Sequence, residues 1–187
     1  GYHLSHLPNS FVIGLETPDL LVEVLKSVPK SPHSQFYADC YRAMLQALQY
    51  HVDQVLEMLS AVKLSGKFEF AGIDSSAAPS KNCSSITKIY ELMGLPYFGA
   101  AGSVEVSALL TKVFKSIQGV PLVGFSGLML AVTEDLGLAE GTQKYYFDIR
   151  ALLTYSAVCG IGLDTVPVAG NVKAESIAAI MRDTGTM

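Results

Sequence analysis

An uncharged stretch constrains the fold of this chain more than any other part of its sequence. Residues 116–133 carry no charged side chain and have about the length of a short membrane-spanning helix. Gly119, Pro121 and Gly124 interrupt the stretch, and a helix that contained them would be poorly formed. We therefore expect a buried strand and turn near Leu122. Uncharged strands are typical of parallel sheets covered by helices on both faces.

Charge and composition exclude two classes of partner. The chain has a net charge of −4 at pH 7 and no cluster of Lys or Arg, so neither nucleic acid nor a membrane surface is expected to bind it. Charged residues make up only 16% of the chain, against a usual share of about 25%. We therefore expect extensive burial, or an apolar surface covered by a second copy or by the remainder of a longer chain. A small-molecule metabolite is the expected ligand.

The cysteines and the first residues bear on the cellular compartment. Cys40, Cys83 and Cys159 lie far apart and have neither metal-site spacing nor the pattern of a disulfide framework. The first residues show no basic region followed by an apolar core and a cleavage site, so no secretory signal is expected. Together these features favour a reducing, cytoplasmic location.

The first third of the chain predicts a loop-rich lead-in followed by one long helix. Within residues 1–34 only residues 18–28 show helical periodicity, with Thr17 as the expected N-cap. Across residues 34–62, apolar side chains recur at alternating three- and four-residue spacing, which predicts an amphipathic helix. A coiled coil gives a similar pattern, and ordinary packing is the preferred interpretation.

Strands and helices alternate along the rest of the chain. Strands are predicted at residues 68–74, at 96–99 and near Leu122, and helices at residues 83–93, 104–117, 148–158 and 174–182. This alternation indicates an α/β fold with a parallel, buried sheet. We expect one α/β domain over residues 1–187, in which residues 1–34 form the lead-in and residues 35–187 the core.

Four acidic residues follow apolar segments, which is where α/β folds place the side chains that contact ligands. They are Asp74, Glu134, Asp135 and Asp164. If these side chains converge, they form an acid/base pair or an oxygen-rich site for Mg²⁺, Mn²⁺ or Ca²⁺. The alternative is structural, because acids commonly cap helices and loops.

Two glycine-containing turns are candidates for holding the anionic end of a ligand. Gly102 and Ser103 precede a predicted helix, but the turn matches neither a P-loop nor a dinucleotide-binding motif, and a tight turn with Ser103 as the N-cap is the preferred interpretation. Ser126 and Gly127 lack the glycine spacing of a nucleophile elbow, but their backbone N–H groups can bind an anion. With Asp74 and Ser76, these residues make up the predicted ligand-binding set.

Cys159 is the thiol whose position most favours chemistry, because it lies between a predicted helix and a Gly-Ile-Gly turn. No base or second cysteine is adjacent to activate it, and a buried structural cysteine is the alternative. The predicted catalytic set is therefore Glu134, Asp135, Asp164 and Cys159.

Three segments with small residues and glycines occur in order along the chain, and they are residues 72–79 (GIDSSAAP), 124–135 (GFSGLMLAVTED) and 156–167 (SAVCGIGLDTVP). Together they resemble the domain-of-unknown-function 711 (DUF711) family, also called uncharacterised protein family 0210. The resemblance spans residues 68–187. It implies a fold related to the pyruvate formate-lyase-like glycyl radical enzymes, whose core is a ten-stranded α/β barrel, and a chain longer than this one. The radical enzymes' glycine-centred R-V-[SA]-G-[YF] motif and adjacent cysteine pair are missing here, so no glycyl radical is expected.

Two functions follow from these residues. The first is an enzyme that acts on a small polar or anionic metabolite by carboxylate acid/base chemistry, with a divalent metal as an option and no nucleotide motif. The second is a non-catalytic binding or scaffold protein that retains the barrel of a radical enzyme. The two differ in whether the four acids and Ser126 line one pocket or serve as separate caps.

Overall fold

The computed structural model describes residues 9–62 and 68–187. Within these ranges the chain forms a mixed α/β structure with seven helices and a two-stranded sheet. In chain order the elements are β1 (Asn9–Gly14), α1 (Pro18–Ser27), α2 (His33–Ala61), β2 (Phe68–Asp74), α3 (Thr87–Leu92), α4 (Ser103–Lys115), α5 (Leu136–Gln143), α6 (Ile149–Cys159) and α7 (Ala174–Thr186).

The sheet is parallel, as predicted, but it is short and was wrongly expected to be buried, since β1 has no buried residue and β2 has only Gly72 and Ile73. β1 pairs with β2 from Asn9 opposite Phe68 to Gly14 opposite Asp74, with an irregularity between Phe11 and Val12. The strand predicted near Leu122 is reduced to one parallel bridge, in which Ile73 donates to the Pro121 carbonyl and accepts from the Val123 N–H, both at 3.0 Å. Pro121 has no N–H to donate, and the chain turns at Gly124, which explains why pairing stops there.

Gly72 lets this third segment approach β2. Its φ is +143°, and a Cβ atom at this position would lie 2.4 Å from the Pro121 carbonyl oxygen. Any side chain at residue 72 would therefore separate the two backbones. Among the described residues only β1 and β2 form a sheet, so the ten-stranded barrel implied by the resemblance is not seen in this part of the chain.

The two predicted N-terminal helices are confirmed, and their apolar stripes face the core. The stripe of α2 includes Cys40, Met44, Leu48 and Val52, all of which are buried. Helix α2 packs against α1 and α4 in the ordinary manner of core helices.

The N-cap role expected for Thr17 is wrong in one respect. Thr17 occupies the N-cap position of α1, yet its side chain makes no capping hydrogen bond. Its Oγ1 atom is buried without a hydrogen-bond partner in the part of the chain that the structure describes. Pro18 at the first helical position starts the helix instead, because its ring fixes a helical φ.

Four other elements differ from the sequence prediction. Strand β1 lies in the region expected to be a loop with one helix, and α5 was not predicted as a helix. The helix expected at residues 83–93 begins only at Thr87, because residues 80–83 form a turn in which the Ser80 N–H donates to the Cys83 thiol. Residues 96–99 form a turn rather than a strand, since Gly99 has a φ of +107°.

An aromatic cluster joins α3, α6 and the segments that precede α4 and α6. Phe98 makes edge-on contacts with Tyr90, Phe147 and Tyr155, with ring centroids 4.8 to 5.1 Å apart. The fully buried Tyr90 hydroxyl bonds Ser107 at 2.8 Å, and burial raises the pKa of Tyr90 far above its usual range. This cluster fixes the positions of α3 and α6 and thereby supports the surface from which α5 begins.

Helix α7 is largely exposed, although Ala179 and Ile180 are half-buried. None of its residues is buried, and apolar side chains such as Ile177 and Met181 face outward. Within residues 9–62 and 68–187, no helix is both long enough and apolar enough to span a membrane.

Candidate functional site

Asp74 ends β2 and is held by a ring of hydrogen-bond donors, which we call the strand-end nest (Asp74, Ser76, Phe125 and Ser126). The backbone N–H groups of Ser76 and Ser126 donate to Oδ1 at 3.0 Å, and the Phe125 N–H donates to Oδ2 at 2.9 Å. The Ser76 hydroxyl also donates to Oδ1. The Asp74 carboxylate therefore joins the end of β2 to the loop that follows the Leu122 bridge.

The nest also determines the ionisation of Asp74. Partial burial by itself raises the pKa of this carboxyl, but the hydrogen bonds from Ser76, Phe125 and Ser126 outweigh burial and hold the pKa below its usual range. The charged form of Asp74 is thus the form that the folded chain stabilises.

The loop of the nest leaves little freedom for a ligand. Gly124 has a φ of +63°, and a Cβ atom there would lie 2.1 Å from the Asp74 Oδ2. The Ser126 hydroxyl donates to the Val123 carbonyl at 2.7 Å and is buried, and Gly127 lies against the Cys159 carbonyl. The Ser126 N–H, which was expected to bind a ligand's anionic end, already donates to Asp74, and so does the neighbouring Phe125 N–H.

Asp135 is the N-cap of α5. Its carboxylate accepts hydrogen bonds from the Leu138 N–H at 3.0 Å and from the Ile86 N–H at 2.8 Å, and the Ser85 hydroxyl donates to it as well. The side chain is buried, with 5% of the residue exposed. The capping interpretation is confirmed for this residue, which also links α5 to the segment before α3.

A cleft lies between this segment and the start of α5, and we call it the α5 cleft. Its volume is about 320 Å³. It is lined by Pro79, Ser80, Lys81, Cys83, Ser84, Ser85, Glu134, Asp135, Leu136, Gly137 and Glu140. Two of the four predicted acids, Glu134 and Asp135, are therefore brought to the same cleft.

The ionisable side chains of the α5 cleft differ in whether they have partners within the chain. Glu140 forms an ion pair with Lys144 at 3.2 Å, and Asp135 accepts hydrogen bonds from Ser85, Ile86 and Leu138. Glu134 and Lys81 are exposed, and neither side chain has a hydrogen-bond or ion-pair partner among residues 9–62 and 68–187. Their charges are therefore available to a ligand.

The wall of the cleft opposite α5 contains none of the predicted site residues. Lys81, Cys83, Ser84 and Ser85 lie in a polar loop after Pro79, and the loop itself was the available signal. The Cys83 thiol accepts from the Ser80 N–H at 3.0 Å and donates to the Ser80 carbonyl at 3.3 Å, and the Ser84 hydroxyl donates to Asp19. These bonds fix the loop against α1.

Asp164 and Cys159 lie outside the lining of the α5 cleft. Cys159 is fully buried, and its thiol accepts the N–H of Gly162 at 3.2 Å and that of Ile161 at 3.4 Å. It thus stabilises the turn that follows α6. Asp164 is exposed and accepts the N–H of its neighbour Thr165 at 2.7 Å.

Gly102 and Ser103 lie at a second, shallower cavity of about 280 Å³ that also includes Thr154 and Tyr155. The prediction that Ser103 is the N-cap of α4 is wrong, because Gly102, with a φ of +100°, is the N-cap residue of this helix and Ser103 is its first residue. The Ser103 hydroxyl accepts from the Gly99 N–H at 2.9 Å and donates to the Ala100 carbonyl at 2.8 Å. Burial raises the pKa of Tyr155, and a hydrogen bond with Ser103 opposes the shift.

The predicted metal ligands do not assemble. Across the described residues, no group of three or more His, Cys, Asp or Glu side chains is placed to hold a metal ion. The oxygens of Asp74 and Asp135 already accept several N–H and O–H groups, which occupy lone pairs that a metal ion would need. The acids therefore divide among the strand-end nest, the α5 cleft and the exposed turn after α6.

Comparison with known proteins gives a consistent relationship. A family model described as "Uncharacterised ACR (DUF711)" matches residues 1–187. Relatives described as UPF0210 proteins include one from Carboxydothermus hydrogenoformans, 27% identical over 91% of this chain and 38% of its own, and one from Pyrobaculum arsenaticum, 29% identical over 97% and 41%. A relative from Listeria monocytogenes is 33% identical over 70% of this chain and 29% of its own.

The chain thus spans at most about two fifths of the length of these relatives. No solved structure matches it.

Proposed function

The chain belongs to the DUF711 family, and we propose that it acts as part of a metabolic enzyme that binds a small polar or anionic metabolite in the α5 cleft. One observation carries the proposal: Glu134 lines the cleft, and its carboxylate has no partner among the described residues. A carboxylate in this state can accept a proton from a bound substrate or return one to it.

The backbone around Glu134 supports such a role. The N–H groups of Glu134 and Asp135 both donate to the Ala131 carbonyl, at 3.0 and 2.9 Å. Asp135 fixes the same turn to the opposite wall of the cleft through Ser85 and Ile86. In this proposal Asp135 is a positioning residue, and Glu134 is the acid/base residue that contacts the substrate.

The opposite wall supplies groups that can hold the substrate. The Lys81 ammonium can pair with an anionic group, and the hydroxyl oxygens of Ser80 and Ser84 can accept hydrogen bonds. Ser126, Gly127 and Asp164 do not line this cleft, and Cys159 is buried away from solvent. The acid/base step therefore depends on Glu134 alone among the predicted catalytic residues.

The test is ligand binding by the wild-type chain and by Glu134→Gln. Thermal unfolding would be measured against a panel of amino acids, small carboxylates, phosphates and divalent ions. A ligand at a hundredfold excess over its dissociation constant adds about 2.7 kcal/mol to the free energy of unfolding. We expect Glu134→Gln to reduce the shift given by a wild-type ligand.

The matched control is Glu175→Gln, which removes an exposed acid on α7 instead. The proposal is wrong if no member of the panel binds, or if the control weakens binding as much as Glu134→Gln does.

A non-catalytic binding or scaffold protein is the second candidate. It is favoured by Asp74 and Asp135, which are predicted site residues whose carboxylates instead join distant segments of the chain. In that case a ligand would bind in the α5 cleft, or to no part of the chain, and no bound member of the panel would be converted to a product. Product analysis of the incubated panel by mass spectrometry distinguishes the two functions.

We propose in addition that the β1 and β2 pair is part of a larger α/β barrel of the pyruvate formate-lyase type in a longer chain with a cytoplasmic location. The parallel pairing and the length of the relatives support this proposal. The remainder of the longer chain would then cover the exposed apolar side of α7. Expression of a full-length family member and measurement of α7 amide exchange test this, because a covered helix exchanges slowly.

A further inference from the structure

The α5 cleft contains one positive and one negative side chain that are both without partners in the described structure. Lys81 lies on the wall formed by residues 79–85, and Glu134 lies on the wall formed by the start of α5. The remaining acids of the cleft are already satisfied, since Glu140 pairs with Lys144 and Asp135 accepts three hydrogen bonds. The cleft thus offers two opposite charges from opposite walls.

We infer that the α5 cleft recognises a zwitterion of amino-acid size, with Glu134 binding the ammonium group and Lys81 binding the carboxylate. This inference rests on the proposed function of the cleft and names its ligand class. An ammonium group donates to a carboxylate, and a carboxylate accepts from an ammonium group, so a zwitterion satisfies both side chains at once. A ligand with charges of one sign would be repelled by one wall.

The size and the polarity of the cleft agree with this class. Its volume of about 320 Å³ lies at the lower end of the range for small-molecule pockets, which is about 300 to 1,000 Å³. Ser80 and Ser84 add hydroxyl oxygens that can accept hydrogen bonds to the lining of the cleft, and these suit a short polar side chain on the ligand. A large apolar ligand would leave the Ser80 hydroxyl without a hydrogen-bond partner among the described residues.

The test uses matched sets of ligands that differ by one charge. L-serine is compared with L-glycerate, which has a hydroxyl in place of the ammonium, and with ethanolamine, which lacks the carboxylate. L-alanine, L-lactate and ethylamine form a second set. Dissociation constants are measured by titration calorimetry on the 187-residue chain.

We expect each zwitterion to bind about tenfold more tightly than either of its single-charge analogues, as one charge-assisted hydrogen bond allows. Glu134→Gln should abolish the preference of L-serine over L-glycerate and leave its preference over ethanolamine. Lys81→Gln should do the reverse. Both side chains are exposed, so both variants should fold, and unchanged far-ultraviolet circular dichroism checks this.

The controls are Glu175→Gln and Lys173→Gln, which remove the same two charges at exposed positions that do not line the cleft. If single-charge ligands bind as well as zwitterions, the inference is overturned and the proposed function stands. If no zwitterion, amine, carboxylate or other member of the wider panel binds, both are overturned. Loss of the zwitterion preference in the control variants would also contradict the inference.

Discussion

The strand-end nest and the α5 cleft both present a carboxylate where an apolar segment ends, and the two carboxylates have opposite surroundings. Asp74 accepts four hydrogen bonds, three of them from backbone N–H groups. Glu134 accepts none from the described residues. The difference shows that the supply of unpaired backbone N–H groups near a carboxylate decides whether it stabilises the fold or remains available for binding.

The largest expected loss of stability comes from placing a methyl group at Gly124, against the Asp74 carboxylate of the strand-end nest. Gly124→Ala places a methyl group 2.1 Å from the Asp74 carboxylate at a backbone φ of +63°. We expect the free energy of unfolding, measured by urea denaturation, to fall by about 3 kcal/mol because of the clash and the backbone strain together. Gly119→Ala is the control, since its φ is +80° and a Cβ atom there meets no atom within 4 Å. An equal loss in both variants would mean that the Asp74 contact has no effect.

Replacement of Asp135, the N-cap of α5, tests whether this residue stabilises the fold at the α5 cleft. Asp135→Ala leaves the N–H groups of Leu138 and Ile86 without their acceptor in a buried setting. We expect a loss of about 2 kcal/mol in the free energy of unfolding, from the lost cap and the unsatisfied donors. Asp164→Ala, at an exposed position with one local hydrogen bond, should cost much less. Similar losses would show that Asp135 is not the link between α5 and the segment before α3.

The pH dependence of stability distinguishes the nest from the cleft. Because the pKa of Asp74 is lowered in the folded state, the charged carboxylate stabilises the fold at pH values above its unfolded pKa of about 3.9. This stabilisation is lost as the pH falls through the lower, folded pKa. Asp74→Asn should therefore reduce the free energy of unfolding by about 1.5 kcal/mol at pH 7.

The difference between wild type and Asp74→Asn should shrink as the pH falls below 3.9. Urea denaturation at a series of pH values provides the measurement. A difference that stays constant from pH 7 to pH 2.5 would contradict the role of the ionised carboxylate.

The smallest expected change in the free energy of unfolding comes from substitution of Glu134. Because the carboxylate has no partner in the described structure, Glu134→Gln should change the free energy of unfolding in the absence of ligand by less than about 0.5 kcal/mol. The same denaturation series measures this change. A loss comparable to that of Asp74→Asn would mean that Glu134 has a structural partner, and the contrast between the two regions would disappear.

The sequence predicted the elements whose signal is local. The helical spacing of Met44, Leu48 and Val52 gave α2, because burial of one face imposes a period on the residues themselves. The apolar alternation of residues 68–74 gave β2, although the exposure of the folded strand falls along its length instead of alternating. Strand β1 and helix α5 lacked such a signal. β1 is short and partly exposed, and two glycines weaken the helical pattern of α5.

The sequence by itself determined which carboxylates follow apolar segments, because the positions of Asp74, Glu134 and Asp135 can be read directly from it. Only the tertiary structure decided their roles. Two of the four hydrogen bonds that hold Asp74 come from Phe125 and Ser126, about fifty positions away, and the other two come from the nearby Ser76. The donors that hold Asp135 include Ser85 and Ile86, at a separation of about fifty positions. Folding brings those distant N–H and hydroxyl groups to two of the three carboxylates, and Glu134 remains available to the cleft because no donor among the described residues reaches it.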